Sequence, residues 1–166
     1  YHRIAVEEAF LIPEIASLDT NRPDRSDRSA RRAYIMKSLL EMGDERIKAM
    51  DEDGIGMQLC LMAGIALQDI DPVKGNELAA LDNDRLAEMV RKYPTRIAGL
   101  AGFAPRDPGR AAQELEGAAK KLGLKGGIVN SHSLGEYLDD KKFWPIFDTA
   151  GDGRAARQPG TRQSEQ

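Results

Sequence analysis

Cysteine, histidine and aromatic residues are all scarce in this chain of 166 residues: one Cys, two His and 5% Phe, Trp and Tyr together. One cysteine allows no disulfide framework within the chain. Cys60 lies in the apolar run Gln58-Leu59-Cys60-Leu61-Met62, where a small buried hydrophobe is expected rather than a nucleophile. No apolar run approaches the roughly 20 residues that cross a bilayer, and there is no basic-then-apolar leader of the secretory kind. A net charge of -3 gives no basic surface for nucleic acid or anionic membrane. The cytoplasm is therefore the expected compartment. The chain opens at Tyr1 rather than Met, which leaves an upstream start open.

What is present is enough for one domain with a sizeable core, at 41% hydrophobic residues. The first stretch, Arg3-Ile4-Ala5-Val6-Glu7-Glu8-Ala9-Phe10, reads as a short buried strand. Alternation puts Ile4 and Val6 on one face and Ala5, Glu7 and Ala9 on the other. A carboxylate among small residues at a strand end is costly unless it is paired or bound to a cation, which singles out Glu7. A polar loop is expected over Asp19–Arg28. A helix then starts near Ser29 with Ile35, Leu39 and Leu40 on one face, and a second is capped by Asp44 and stops at Gly54.

Strand two is expected over Gly56–Met62, almost wholly apolar as a parallel strand covered on both faces should be. A helix over Lys74–Tyr93 ends before Pro94, and strand three follows over Ile97–Ala104. The next helix has Asp107 as cap, Pro108 at its first position, Ala111, Leu115, Ala118 and Leu122 on one face and Gly123 as its close. Strand four, Gly127–Asn130, leads to the loop Ser131–Tyr137. A last helix from Asp139 or Asp140 carries Phe143, Trp144, Ile146 and Phe147. Beyond Asp148 the periodicity fails, and residues 149–166 read as a disordered tail of the kind a frameshift produces.

Four strand–helix units with short connections call for an α/β fold with a parallel sheet. Either a small doubly wound sheet or the first half of an eight-stranded TIM-type barrel fits. The first strand–helix turn has no Gly-x-Gly-x-x-Gly cradle, so a dinucleotide is not expected.

Several blocks in order carry a family resemblance: Arg3–Phe10, Leu39–Asp51, Asn83-Asp84-Arg85-Leu86-Ala87, Tyr93-Pro94-Thr95-Arg96-Ile97, Leu122–Gly126 and Asn130–Asp139. Over about residues 1–148 the chain resembles the amidohydrolase superfamily. The nearest branch is that of the metal-dependent aromatic-acid decarboxylases, such as the 5-carboxyvanillate and 2,3-dihydroxybenzoate enzymes. The resemblance implies the N-terminal half, about four βα units, of a (β/α)8 barrel with one divalent metal (Mn, Zn or Mg) at its C-terminal mouth.

By the same resemblance Glu7 is a metal ligand. Ala9 stands where many relatives carry a second ligand, a His, so the site is expected to be carboxylate-led and hard. Arg31 falls where that branch grips the substrate carboxylate, a task suited to a planar guanidinium fork. His132, just past a strand end, is expected to touch substrate, and Tyr137 to pack. The family's remaining ligands, a His and an Asp, have no counterpart in the chain, and with them the family's acid is missing.

Implied are non-oxidative loss of CO2 from a small hydroxylated aromatic acid, homo-oligomers of the complete enzyme, and an inactive truncated chain. A metal-hydroxide hydrolase acting on an ester, lactone or amide is the second reading. A non-catalytic truncated product is the third.

Overall fold

The computed structural model describes residues 3–18, 29–63, 67–130 and 132–151. β1 (Ile4–Phe10) leads into one helical turn, α1 (Pro13–Ala16), and then α2 (Ser29–Leu40), α3 (Asp44–Glu52), β2 (Met57–Met62), α4 (Pro72–Lys92), β3 (Ile97–Leu100) and α5 (Pro108–Leu122). A hairpin of β4 (His132–Ser133) and β5 (Glu136–Tyr137) follows. A 3-10 turn over Lys141–Phe143 then opens α6 (Trp144–Gly151). The expected loop at 19–28 and residues 152–166 of the expected tail lie outside the described residues. Residues 149–151 of that tail are the end of α6.

The three long strands pair in parallel in the order β1-β2-β3, and a single bridge from Ala101 to Gly127 extends the sheet by one position. Register fixes which side chains share a face. Gln58 pairs with Ile97 and Cys60 with Gly99; this face is buried under helices, with Cys60 fully enclosed. Met57, Leu59, Ala98 and Leu100 lie on the other face and are half-buried.

Burial pushes the Cys60 thiol up to about 11, with nearby Arg46 opposing, so it stays protonated at neutral pH, as a core cysteine should. The buried cluster continues through Phe10, Ile12, Met50, Leu86, Leu115 and Phe143. Gly99 exists for close approach. A Cβ there would sit 2.7 Å from Leu86 Cδ2 and 2.9 Å from Leu124 Cδ2. Gly99→Ala is expected to lower stability by about 1–3 kcal/mol through overpacking, read as a lower urea midpoint with an unchanged slope.

α5 forms as its sequence dictates. The Asp107 side chain accepts from the Arg110 amide, Pro108 occupies the first turn, and Gly123 closes the helix in the left-handed region at φ 76°. α4 begins two residues before the expected start, because Asp71 caps it by accepting from Val73 and Lys74, ahead of Pro72. Gly43, not Asp44, is the N-cap of α3. Asp44 sits at its first position and receives Lys92 Nζ at 3.1 Å and the Tyr93 hydroxyl.

Three strand expectations are corrected. β1 is not buried along its length: Ile4 and Val6 are exposed, and only Phe10 is enclosed. β3 stops at Leu100, and of the expected fourth strand only Gly127 pairs. Beyond it the backbone leaves the ladder, the Asn130 amide donating to a side chain instead. The expected loop Ser131–Tyr137 contains a hairpin whose turn residues, Leu134 and Gly135, both have positive φ, 48° and 84°. On α2, Ile35 and Leu40 are exposed, while Leu39 is half-buried against the core.

Candidate active site

Three polar residues, Glu7, Gln68 and Asn130, gather where β2 and β3 end. In β1 the register slips by one residue between Ala5 and Glu8, so Glu7 is the extra residue of a bulge. Its φ is 61°, a left-handed conformation rare for a residue with a Cβ. This corrects the simple alternation: across the bulge Ala5 is registered with Gln58 and Ala9 with Leu61, so Ala5 and Ala9 no longer share a face. Glu7 is exposed, and it lines a cavity of about 130 Å³ at the ends of β2 and β3. Gln68 and Asn130 supply the rest of the polar wall. Leu61, Met62, Phe103, Ile128 and Val129 make the apolar one. Strained backbone beside a cavity is a recurrent mark of a functional position.

The other expected site residues are not brought together with Glu7. Arg31 is exposed on α2 and does not line this cavity. His132 is exposed on the hairpin. Its ring stands edge-on to that of Tyr137, with centroids 6.1 Å apart. Tyr137 is exposed rather than packed in the core. What ties His132 to the cavity is its backbone carbonyl, which accepts from Gln68 Nε2 at 2.7 Å.

Gln68 itself carried no sequence signal. One amide in a connecting stretch has no period and no partner spacing. Only its place just after a strand end, the functional face of βα barrels, could have marked it.

A larger groove, about 520 Å³, lies between β1, α2 and α3. Arg46 in its wall has its nitrogens engaged: it donates to the carbonyls of Glu41 at 2.7 Å, Ala9 at 3.0 Å and Ser38 at 3.4 Å, and to Gln58 Oε1 at 3.2 Å. It knits the α2–α3 junction to the sheet and leaves no free fork for a ligand.

Among the described residues no three His, Cys, Asp or Glu side chains come close enough to hold a metal ion. Glu7 fits as one oxygen ligand of a hard divalent cation, and the amide oxygen of Asn130 is compatible with such an ion. A six-coordinate ion is not satisfied by these groups alone. Among the described residues these groups could supply one corner of a metal site, not a cage.

Parallel βα units with their polar residues gathered at the C-terminal strand ends are the arrangement of the (β/α)8 enzymes. Within that class, the amidohydrolase family model matches residues 23–155, and the chain belongs to this family. It is 36% identical over 155 residues to gamma-resorcylate decarboxylase of Polaromonas, covering 89% of this chain and 46% of that one. Among solved structures it resembles 5-carboxyvanillate decarboxylase of Novosphingobium aromaticivorans, which holds manganese and 3-methoxy-4-hydroxy-5-nitrobenzoic acid. The TM-score is 0.83 at 34% identity, covering 92% of this chain and 48% of that one. A 2,6-dihydroxybenzoate decarboxylase complexed with 2,6-dihydroxybenzoate gives a TM-score of 0.81 at 29% identity, with coverage of 91% and 48%. The chain spans about half the length of the relatives it matches, and its fold is that of about four βα units of a (β/α)8 barrel. No helix among the described residues is long and apolar enough to cross a membrane.

Proposed function

We propose that this chain is the Glu7-bearing half of a metal-dependent, non-oxidative decarboxylase of hydroxylated benzoates, and that it does not turn over alone. The observation that carries the reading is the bulge in β1 at Glu7, a residue that lines a cavity at the strand ends. It is joined by the resemblance to decarboxylases that bind manganese and aromatic acids.

When bound, a divalent ion, Mn²⁺ by likeness to the neighbours, supplies Lewis-acid attraction for the carboxylate and phenolic oxygens of the substrate. Glu7 gives that ion an anionic oxygen from the bulge of β1. The apolar wall of Leu61, Met62, Phe103, Ile128 and Val129 suits a flat ring and excludes water from its face. Arg31 is assigned to the substrate's polar groups on the family resemblance, and His132 on its place just past a strand end. The acid that protonates the ring carbon comes from outside these residues, which is why the chain alone is assigned no turnover. The unit over residues 1–148 is read as the N-terminal half of the barrel, and the complete enzyme as a cytoplasmic homo-oligomer.

Co-expression with the C-terminal half of the Polaromonas gamma-resorcylate decarboxylase tests this. The expected result is Mn²⁺-dependent CO2 release from 2,6-dihydroxybenzoate by the pair and none by either half. Release of a hydrolysis product from an ester or lactone, with no CO2 from the acid, would move the assignment to a hydrolase.

A further inference from the structure

Gln68 differs from the other buried polar residues in what it joins. It follows β2, is 4% exposed, and lines the Glu7 cavity together with Asn130. Its Nε2 donates to the His132 carbonyl at 2.7 Å and reaches the Asn130 carbonyl at 3.5 Å, and its Oε1 accepts the Asn130 amide at 2.8 Å. Its own carbonyl accepts the buried Ser133 hydroxyl, and the adjacent Asp69 carboxylate accepts the Leu134 amide at 3.2 Å. The side-chain amide can face only one way, since carbonyls accept and never donate, so nitrogen must point at them. These bonds span 62 to 65 residues of sequence. They meet the backbone at the place where the expected fourth strand leaves the sheet. A backbone that gives up its ladder must find other partners, and one side chain supplies them.

We propose that Gln68 is a positioning residue, clamping the backbone of Asn130 and His132 and so setting the wall of the Glu7 cavity and the placing of His132. Its kinetic consequence rests on the decarboxylase reading; its anchoring does not. Two variants separate the parts of the clamp. Gln68→Met keeps length and removes every side-chain polar contact, leaving the backbone carbonyl to the Ser133 hydroxyl. Gln68→Glu keeps an acceptor for the Asn130 amide and loses both donors.

In hydrogen exchange of the full chain, Gln68→Met is expected to speed the Asn130 amide by about 30-fold or more. The Ile128 amide, bonded to the Ala101 carbonyl at 3.0 Å, serves as control and stays within about threefold. Gln68→Glu leaves Asn130 protected. In the two-half enzyme both variants raise KM for 2,6-dihydroxybenzoate about tenfold while kcat stays within about threefold. A residue that merely stabilised the fold would reduce the amount of active enzyme and leave KM alone.

Unchanged Asn130 exchange in Gln68→Met, or a loss confined to kcat, overturns the proposal. If Gln68→Met unfolds the chain, the KM of Gln68→Glu decides. If the unaltered pair releases no CO2, the decarboxylase reading falls, and the exchange rates alone decide whether Gln68 is the anchor.

Discussion

Glu7→Gln in the two-half enzyme is expected to lower kcat/KM by about 100-fold or more at fixed Mn²⁺ while leaving folding stability within about 0.5 kcal/mol. The two halves of that expectation have different causes. An amide keeps the size and one oxygen but not the charge, so a hard cation loses its anionic anchor. Stability is spared because Glu7 is exposed, and Gln meets the same left-handed backbone, φ 61°, at the same cost.

Glu7→Gly goes further. Glycine adopts positive φ freely, so this variant is expected to be as stable as the parent or more so, by up to about 1 kcal/mol, and inactive in the pair. A gain in stability with a loss of function is the signature of a strained residue kept for its chemistry. Thermal melts of the chain together with CO2 assays of the pair read both. Full activity in Glu7→Gln would remove this carboxylate from the reaction.

The second large effect concerns Asp82, on the buried face of α4. It is fully enclosed, and neither carboxylate oxygen has a hydrogen-bond partner among the described residues. Arg85, one turn on, lowers its pKa by charge alone, because its guanidinium is forked onto Glu14 at 2.6 and 2.8 Å. Burial outweighs that attraction and pushes the Asp82 carboxyl up to about 7.

The folded state therefore holds a proton that the unfolded chain releases near pH 4. The contribution of Asp82 to stability is full below about pH 4, is lost as pH rises to about 7, and is level above that. At about three pH units the swing is of order 4 kcal/mol. Asp82→Leu should thus unfold at higher urea than the parent at pH 8, with the gap narrowing at pH 5. The comparison is made between variant and parent because Asp44, held low by the Tyr93 hydroxyl and by Lys92, works in the opposite sense at acid pH. Parallel pH profiles for the two proteins would show that Asp82 is ionised and paired in the fold.

The order of strands and helices was legible wherever local rules act alone. α5 is the clearest case, since a cap, a first-turn proline and a closing glycine state both ends of the helix. β1 was legible as a strand but not in its facing, because a bulge inserts one residue and alternation cannot reveal it. The run Gly127-Ile128-Val129 reads as a strand by composition, yet Asn130 spends its amide on Gln68, a partner set by tertiary structure. Site chemistry divides along the same line. Glu7 was marked by a carboxylate at a strand end, whereas Gln68, one polar residue in a connection, becomes informative only when its distant partners are known. Arg31, taken from the resemblance, and His132, taken from its place just past a strand end, do not line the cavity that Glu7 lines.

The most direct measurement is anomalous diffraction at the manganese edge from crystals of the two-half enzyme grown with Mn²⁺. A single peak is expected about 2.0–2.4 Å from a Glu7 carboxylate oxygen, within the range for hard divalent cations, on the side of the cavity walled by Gln68 and Asn130. A peak bound entirely by the partner half, with the Glu7 carboxylate turned to solvent, would contradict the account.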